Sequence, residues 1–403
     1  MKVKINKGIA KGEIYAPPTK SYAHRLLICS SLASGESVIE GISDSVDMKA
    51  TLECIMAGGA SVKKDGDRVT ITGGAPKEGV REYNCYESGS TLRFFIPISL
   101  IHGGECRFFG TERLMSRGLE VYEEIFKAQG IEWEKTDTSL TVRGKLKGGE
   151  FNARGDISSQ FITGLLFALP LLDVDSVINI TTRLESSAYI DITIECLEKF
   201  GIKIERKDNS FFIKGKQHYK PSYQRAEGDL SNSAFLDAFN LLGGEVSVLA
   251  LNDKTLQGDR AYKEYFKLLE DGAPTLDISS CPDLGPILFA MAGIKNGATI
   301  TGTRRLKIKE SDRAEAMATE LRKIGCRVQV LDNSVIIEPS PCVAEYQEFD
   351  CHNDHRIVMA LSVLSTAIGG VLCGCEAVSK SYPNFFNDIR SLGIDVEVLD
   401  EDN

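Results

Sequence analysis

Positive charge is in short supply in this chain. Lys and Arg number 47 against 57 Asp and Glu, a formal net charge of -10. That balance argues against nucleic acid or an anionic membrane as the partner. Long apolar runs are missing too: none reaches the roughly 18 residues that a membrane-spanning helix needs. The first segment, Met1 to Lys7, alternates charged and apolar residues and does not read as a signal peptide. Eleven cysteines are present, but no two form a C-x-x-C pair. Cys29, Cys54 and Cys196 lie inside apolar runs, as expected of reduced, buried thiols in a cytoplasmic protein. The one grouping that suggests a metal is Cys351, His352, Cys373 and Cys375. It lacks zinc-type spacing and Cys373-Gly374-Cys375 reads as strand, so no metal is expected. Neither G-x-x-x-x-G-K-[ST] nor a strand-linked G-x-G-x-x-G occurs, and there is no Ser/His/Asp hydrolase elbow. What remains is 403 residues, 42% of them hydrophobic, enough for two domains with substantial cores.

What the chain has is a repeat. Six segments open with residues able to meet an anion: Lys20-Ser21, Ser88-Gly89-Ser90-Thr91, Ser158-Ser159-Gln160, Asp229-Leu230-Ser231, Asp283-Leu284 and Asp354-His355-Arg356. Each opener leads into an apolar, helix-like run, then a turn, then a β-branched run. A second helix-like run follows, ending at Gly59, Gly130, Gly201, Gly272, Gly325 or Gly393. A fixed period of this length implies a modular α/β architecture. In the second module, Leu92 to Ile101 predicts a helix, Glu105 to Phe109 a strand, Gly110 to Arg117 a loop, and Leu119, Tyr122 and Phe126 a helix ended by Gly130. Successive openers stand 68, 70, 71, 54 and 71 residues apart. The short interval means that module four lacks the closing strands of its sisters. The spare alternating segment Lys2 to Tyr15 then completes the second half. The expected domains are 19–227 and 1–18 plus 228–403, with three modules each and the active site in the cleft between them.

Helix starts decide where chemistry is expected. The first N–H groups of a helix lack internal partners, and its dipole adds about half a positive charge there. Helix starts that face one cleft suit phosphates and carboxylates. Cations recur at equivalent points of the repeat despite the acidic total: Lys20 and Arg25, Arg93 and Arg117, Lys309 and Arg313, Arg356 and Lys380. Arg356 sits just inside a helix start, where the dipole disfavours a cation unless an anion is bound. Two carboxylates, Asp283 and Glu310, stand among these cations. A helix cap is the alternative for Asp283, and a capping or surface ion pair is the alternative for Glu310 and Asp312. Otherwise the pair suits acid–base chemistry between anionic substrates. Asp354 reads as an N-cap, and His355 orients Asp354, binds substrate or is a satisfied structural histidine.

These residues resemble a known family. Pro18-Thr19-Lys20-Ser21-Tyr22-Ala23-His24-Arg25 is similar to the P-x-K-S-x-x-x-R signature of 5-enolpyruvylshikimate-3-phosphate synthases, and Gly89-Ser90-Thr91-Leu92-Arg93 to their G-T-x-x-R segment. Ser158-Ser159-Gln160-Phe161, Tyr189-Ile190-Asp191, Lys309 to Arg313, Asn353 to Arg356 and Lys380-Ser381-Tyr382-Pro383 also match, in the family's order along the whole chain. The resemblance implies an enolpyruvyl transferase fold: an inside-out α/β barrel of two domains, each three βαβαββ units around a pseudo-threefold axis. It implies transfer of enolpyruvyl from phosphoenolpyruvate to the 5-hydroxyl of shikimate 3-phosphate, with no metal or organic cofactor. The partners implied are those two small molecules, not nucleic acid or membrane, and the enzyme is expected to be a monomer. By the same resemblance, Lys20, Ser21, Arg25, Ser158, Ser159, Gln160, Ser186, Asp283 and Lys309 hold shikimate 3-phosphate. Lys20, Gly89, Arg117, Gln160, Arg313, Arg356 and Lys380 hold phosphoenolpyruvate; Arg93 belongs to the same helix-start motif, and Arg93 and His355 are further candidates for the site. Asp283, Glu310 and Lys20 carry the catalytic roles. The chain departs from the family pattern at Glu87, where many members have Asn, at Arg305, and at Ser187-Ala188 in place of Lys-Pro.

Two other readings compete. The sister enzyme that transfers enolpyruvyl to UDP-N-acetylglucosamine carries a reactive cysteine in the loop that matches Thr111 to Gly118; here that loop has none. A non-catalytic repeat protein that binds an acidic metabolite would gain nothing from Asp283 and Glu310, whose charge opposes anion capture.

Overall fold

The computed structural model describes residues 1–76 and 78–399. The chain divides into two compact units, 18–227 and 1–17 with 228–403. Each has its own apolar core, one built around residues such as Leu26, Phe94 and Phe167, the other around Phe235, Leu288 and Leu361.

Each opener starts an inner helix: Lys20–Leu32, Gly89–Ser99, Ser159–Ala168, Leu230–Leu241, Gly285–Ile294 and His355–Ile368. These helices are largely apolar and largely buried, as helices without a broad polar face must be. In Gly285–Ile294 every residue up to Gly293 is buried. The outer helices are Val46–Ala57, Glu120–Ala128, Ser187–Lys199, Tyr262–Asp271, Arg313–Lys323 and Phe385–Ser391. They carry one apolar stripe. Tyr262–Asp271 buries only Tyr262, Phe266 and Leu269.

Small sheets accompany the helices. In module two, Arg81–Asn84 runs parallel to Glu105–Phe109, with Arg81 opposite Cys106. Glu105–Phe109 pairs antiparallel with Ser139–Arg143, which pairs antiparallel with Glu132–Lys135. The parallel pair brackets the inner helix, as a crossover connection requires. Modules three and five repeat this order. Module one borrows its first strand, Tyr223–Arg225, from the far end of its unit. Strand faces alternate: Ser334–Glu338 buries Val335 and Ile337 and turns its other side chains outward. Helices therefore lie inside and sheets outside.

Modules four and six depend on the N-terminal segment. Lys2–Ile5 lies between Gly370–Cys373 and Val396–Leu399, antiparallel to both, and so takes the place of a hairpin strand. Lys11–Tyr15 runs parallel to Glu245–Leu249, and these two strands are the whole sheet of module four. Among the described residues, module four has no hairpin of its own, in keeping with its short interval.

One local expectation needs correction. The Gly110 to Arg117 segment is not all loop: Glu112–Ser116 is a helix, capped by the Thr111 hydroxyl, which accepts from Leu114 N at 3.2 Å. Of the glycines that end outer helices, Gly59, Gly130, Gly201, Gly325 and Gly393 have positive φ, but Gly272 is extended at φ 169. The left-handed turn folds the chain back into a hairpin strand, and module four has no such strand to reach.

Candidate active site

In the unit 18–227, the sequence-selected residues gather at inner-helix starts. Lys20 is the first residue of its helix, and its Nζ lies 2.7 Å from Asp47 Oδ2. Asp47 sits in the first turn of Val46–Ala57, whose cap is the Ser45 hydroxyl. Behind Lys20 the His24 ring is buried and bonded through Nδ1 to Thr51 Oγ1 at 2.8 Å. Burial, aided by the nearby Lys20 and Arg25 charges, pushes its pKa well below the ordinary histidine value and keeps the ring neutral. Arg25 is buried as well. Its guanidinium donates to Thr193 Oγ1 at 2.8 Å, Tyr189 O at 3.0 Å and Ser21 O at 2.6 Å, and so ties the first inner helix to Ser187–Lys199.

Gly89, Arg93, Arg117 and Gln160 form a second group. Arg93 Nη1 donates to Gln160 Oε1 at 2.7 Å, and Nη2 donates to the Arg117 and Gly118 carbonyls at 2.6 and 3.2 Å. Its guanidinium carbon lies 5.1 Å from the centre of the Phe161 ring. Arg93 thus fixes Gln160 and the backbone of Arg117. Gly89 lets this group close up: a Cβ there would stand 3.0 Å from Arg117 Nη1 and 3.1 Å from Arg93 Nη1. Ser158 caps its helix, accepting from Gln160 N at 3.3 Å, and Ser159 is buried beside it. Ser186 has the left-handed conformation, φ 54 and ψ 41, and is buried just ahead of Ser187–Lys199. A non-glycine residue in that region costs about 1–3 kcal/mol and persists only where its surroundings hold it.

The unit 1–17 with 228–403 gathers carboxylates around one guanidinium. Arg313 is 1% exposed. Its Nη1 donates to Asp283 Oδ1 at 2.8 Å and its Nη2 to Glu310 Oε2 at 2.7 Å. Nε and Nη2 reach the two oxygens of Asp354 at 2.8 and 3.2 Å. Burial alone would lower the pKa of Arg313, but Asp354, Glu310 and Asp283 together raise it above the ordinary value. Asp354 is fully buried; burial works to raise its pKa, yet the Arg313 charge leaves it below the usual carboxylate value. Asp354 also caps its helix, accepting from Arg356 N at 2.9 Å, and accepts from Ser311 Oγ at 3.0 Å.

Asp283 is not a helix cap. It lies in a 3-10 turn ahead of Gly285–Ile294. Its carboxylate meets Lys309 Nζ at 3.1 Å and Arg313, with Arg356 Nη2 at 3.6 Å. Enclosure lowers the Lys309 pKa, against the opposing pull of Asp283. Lys380 Nζ donates to the carbonyl and side-chain oxygens of Asn353 at 2.6 and 2.9 Å. His355 is buried with Nδ1 3.9 Å from Asp354 Oδ1, too far for a hydrogen bond. Asp312 caps Arg313–Lys323, accepting from Glu315 N at 3.3 Å. Among the described residues, no group of three or more His, Cys, Asp or Glu side chains is placed to hold a metal ion.

Such a network of cations with two carboxylates in reach of one another can bind anions and move protons. The family model for EPSP synthase (3-phosphoshikimate 1-carboxyvinyltransferase) matches residues 6–389. The chain belongs to the EPSP synthase family. A relative from Clostridium acetobutylicum named 3-phosphoshikimate 1-carboxyvinyltransferase is 43% identical, covering 98% of each chain. One of the same name from Clostridium perfringens is 41% identical over 97% of this chain and 98% of its own. A solved EPSP synthase from Acinetobacter baumannii, 21% identical, superposes with a TM-score of 0.79 over 98% of this chain and 100% of its own, which shows the fold.

Two residues of this network stand out only in the fold. Asp47 faces Lys20 but occupies an ordinary helix start, Ser45-Val46-Asp47, with nothing to mark it off from a cap. Asn232 accepts from Arg356 Nη1 at 2.8 Å. It follows the fourth opener, Asp229-Leu230-Ser231, which has no cation to draw attention to it.

Proposed function

We infer that this chain catalyses enolpyruvyl transfer from phosphoenolpyruvate to the 5-hydroxyl of shikimate 3-phosphate, releasing phosphate. The observation that carries the reading is membership of the EPSP synthase family over nearly the whole chain. In addition, the 5-oxygen bonds to C2 of phosphoenolpyruvate while a proton enters C3. In elimination the bond from C2 to the phosphate oxygen breaks and a methyl proton leaves. Asp283 takes the proton of the 5-hydroxyl, Glu310 delivers the proton to the enol methylene, and Lys20 shares in the proton traffic.

The remaining residues bind. Lys20, Ser21, Arg25, Ser158, Ser159, Gln160, Ser186, Asp283 and Lys309 hold shikimate 3-phosphate. Lys20, Gly89, Arg117, Gln160, Arg313, Arg356 and Lys380 hold phosphoenolpyruvate, with Arg93 acting through Gln160 and Arg117. Asp47 pairs with Lys20, Asp283 with Lys309, and Glu310 and Asp354 with Arg313. An arriving anion competes for Lys309 and Arg313, and so frees Asp283 to accept a proton. Holding two reactants in line supplies about 7–11 kcal/mol of the barrier. The reaction occurs on two soluble small molecules, with the protein acting as a monomer in the cytoplasm.

Phosphate release measured with phosphoenolpyruvate and shikimate 3-phosphate tests the reaction. Turnover with this acceptor and none with UDP-N-acetylglucosamine is the expected result. Absence of phosphate release with shikimate 3-phosphate would remove the proposal. Asp283→Ala and Glu310→Ala are expected to retain ligand binding while kcat falls at least a hundredfold. Lost binding with intact turnover would show that the acid–base roles are misassigned.

A further inference from the structure

The fourth opener, Asp229-Leu230-Ser231, carries no cation, and its module lacks a hairpin. Its helix nevertheless touches the chemistry. Arg356 is 2% exposed, and its guanidinium is held on two sides by residues of Leu230–Leu241. Asn232 Oδ1 accepts from Nη1 at 2.8 Å, and the Phe235 ring centre lies 5.6 Å from the guanidinium carbon. Asn232 is itself fixed: it is 1% exposed, and its backbone N–H donates to the capping carboxylate Asp229 Oδ1 at 2.7 Å.

The geometry leaves one edge of the guanidinium over. Among the described residues, Arg356 Nε has no hydrogen-bond partner, and the nearest acidic oxygen to Nη2 is Asp283 Oδ2, at 3.6 Å, beyond a good hydrogen bond. Nε and Nη2 form the edge of arginine that grips a carboxylate or phosphate with two parallel bonds. A buried donor left without a partner is destabilising, so this edge fits a ligand oxyanion better than a structural role.

We propose that Asn232 and Phe235 are positioning residues that take up Nη1 and one face of Arg356 and thereby present its Nε–Nη2 edge to the phosphoenolpyruvate anion. The inference rests on the assignment of Arg356 to phosphoenolpyruvate made above. It gives module four a part in substrate recognition that its opener alone does not suggest.

Steady-state kinetics on the full chain test it. Asn232→Leu keeps the branched outline of the side chain and removes the acceptor. A hydrogen bond to a charged group is worth enough that KM for phosphoenolpyruvate should rise roughly tenfold, with kcat and KM for shikimate 3-phosphate changed less than about twofold. Phe235→Leu should raise the same KM about threefold by removing the ring face. In an Arg356→Ala background Asn232→Leu should add less than about twofold, because the group it positions is gone. Equal rises in both KM values, or full additivity with Arg356→Ala, would overturn the inference and leave Asn232 structural. If Arg356→Ala itself left KM for phosphoenolpyruvate unchanged, the assignment of Arg356 would fall, and the inference with it. Should Asn232→Leu not fold, Phe235→Leu and its cycle with Arg356→Ala give the same decision.

Discussion

At the residue scale, Asp354 shows how one side chain can serve both the fold and the site. It caps a helix and at the same time neutralises the buried Arg313. The sequence marked it as a cap, since Asp before an apolar helical run is a familiar start. Its second task was not legible, because the partner lies 41 residues away and contact between modules leaves no local pattern. The pairing has a pH signature. The folded pKa of Asp354 lies below its unfolded value of about 3.9, so its contribution is present above that pH and is lost as pH falls through the folded value. Asp354→Asn should therefore lower stability by about 3 kcal/mol at pH 7, leaving Arg313 short of a counter-charge. The gap from the parent chain should narrow below about pH 4. Denaturant unfolding at pH 7 and pH 3 checks this, and a gap that widened on acidification would contradict the assignment. Asn232 is the opposite case. Asn is unremarkable within Leu230-Ser231-Asn232-Ser233, and only the position of Arg356 gives it meaning.

At the element scale, the inner helices were legible because an apolar run behind a capping residue has few other outcomes. The details that make them pack were not. Pro97 lies inside the helix Gly89–Ser99, where it removes the N–H that would have reached the Arg93 carbonyl four residues back. The Tyr122 hydroxyl supplies the missing donor, at 2.8 Å from Arg93 O, and lies equally close to Phe161 O in the next inner helix. Gly164 makes room for this contact, since a Cβ there would stand 2.2 Å from the Tyr122 oxygen and 2.5 Å from Arg93 O. A proline, a glycine and a tyrosine from three different elements thus form one joint, and it sits directly behind Arg93. Tyr122→Phe should destabilise the unit by about 1–3 kcal/mol, the cost of a buried carbonyl left without a donor. Arg93 acts on Gln160 and Arg117, so KM for phosphoenolpyruvate should also rise. A Tyr122→Phe chain with unchanged unfolding would mean that the carbonyl finds another donor.

At the scale of the whole molecule, the repeat is exact enough to be read yet is broken in one instructive place. Among the described residues, five modules build four-stranded sheets, while module four builds a pair. The spacing of 54 residues disclosed the missing hairpin, and the alternating Lys2 to Tyr15 segment disclosed spare strands. How they are divided, one strand to module six and one to module four, could not be read, because register between distant strands depends on neighbours that only the fold supplies. The division makes the second unit dependent on the first residues of the chain. Val3 and Ile5 are fully buried, and Lys2–Ile5 is hydrogen-bonded on both sides. Burying two such side chains is worth about 3 kcal/mol or more before any ladder bond is counted. A chain lacking residues 1–17 should therefore keep the cooperative unfolding of 18–227, whose strands all come from within it. Its amides in Gly370–Cys373 and Val396–Leu399 should lose their protection from hydrogen exchange. The helix His355–Ile368 packs against that sheet and carries Arg356, so phosphoenolpyruvate turnover should fall with it. Full exchange protection in those two strands without residues 1–17 would show that module six closes its sheet by some other pairing.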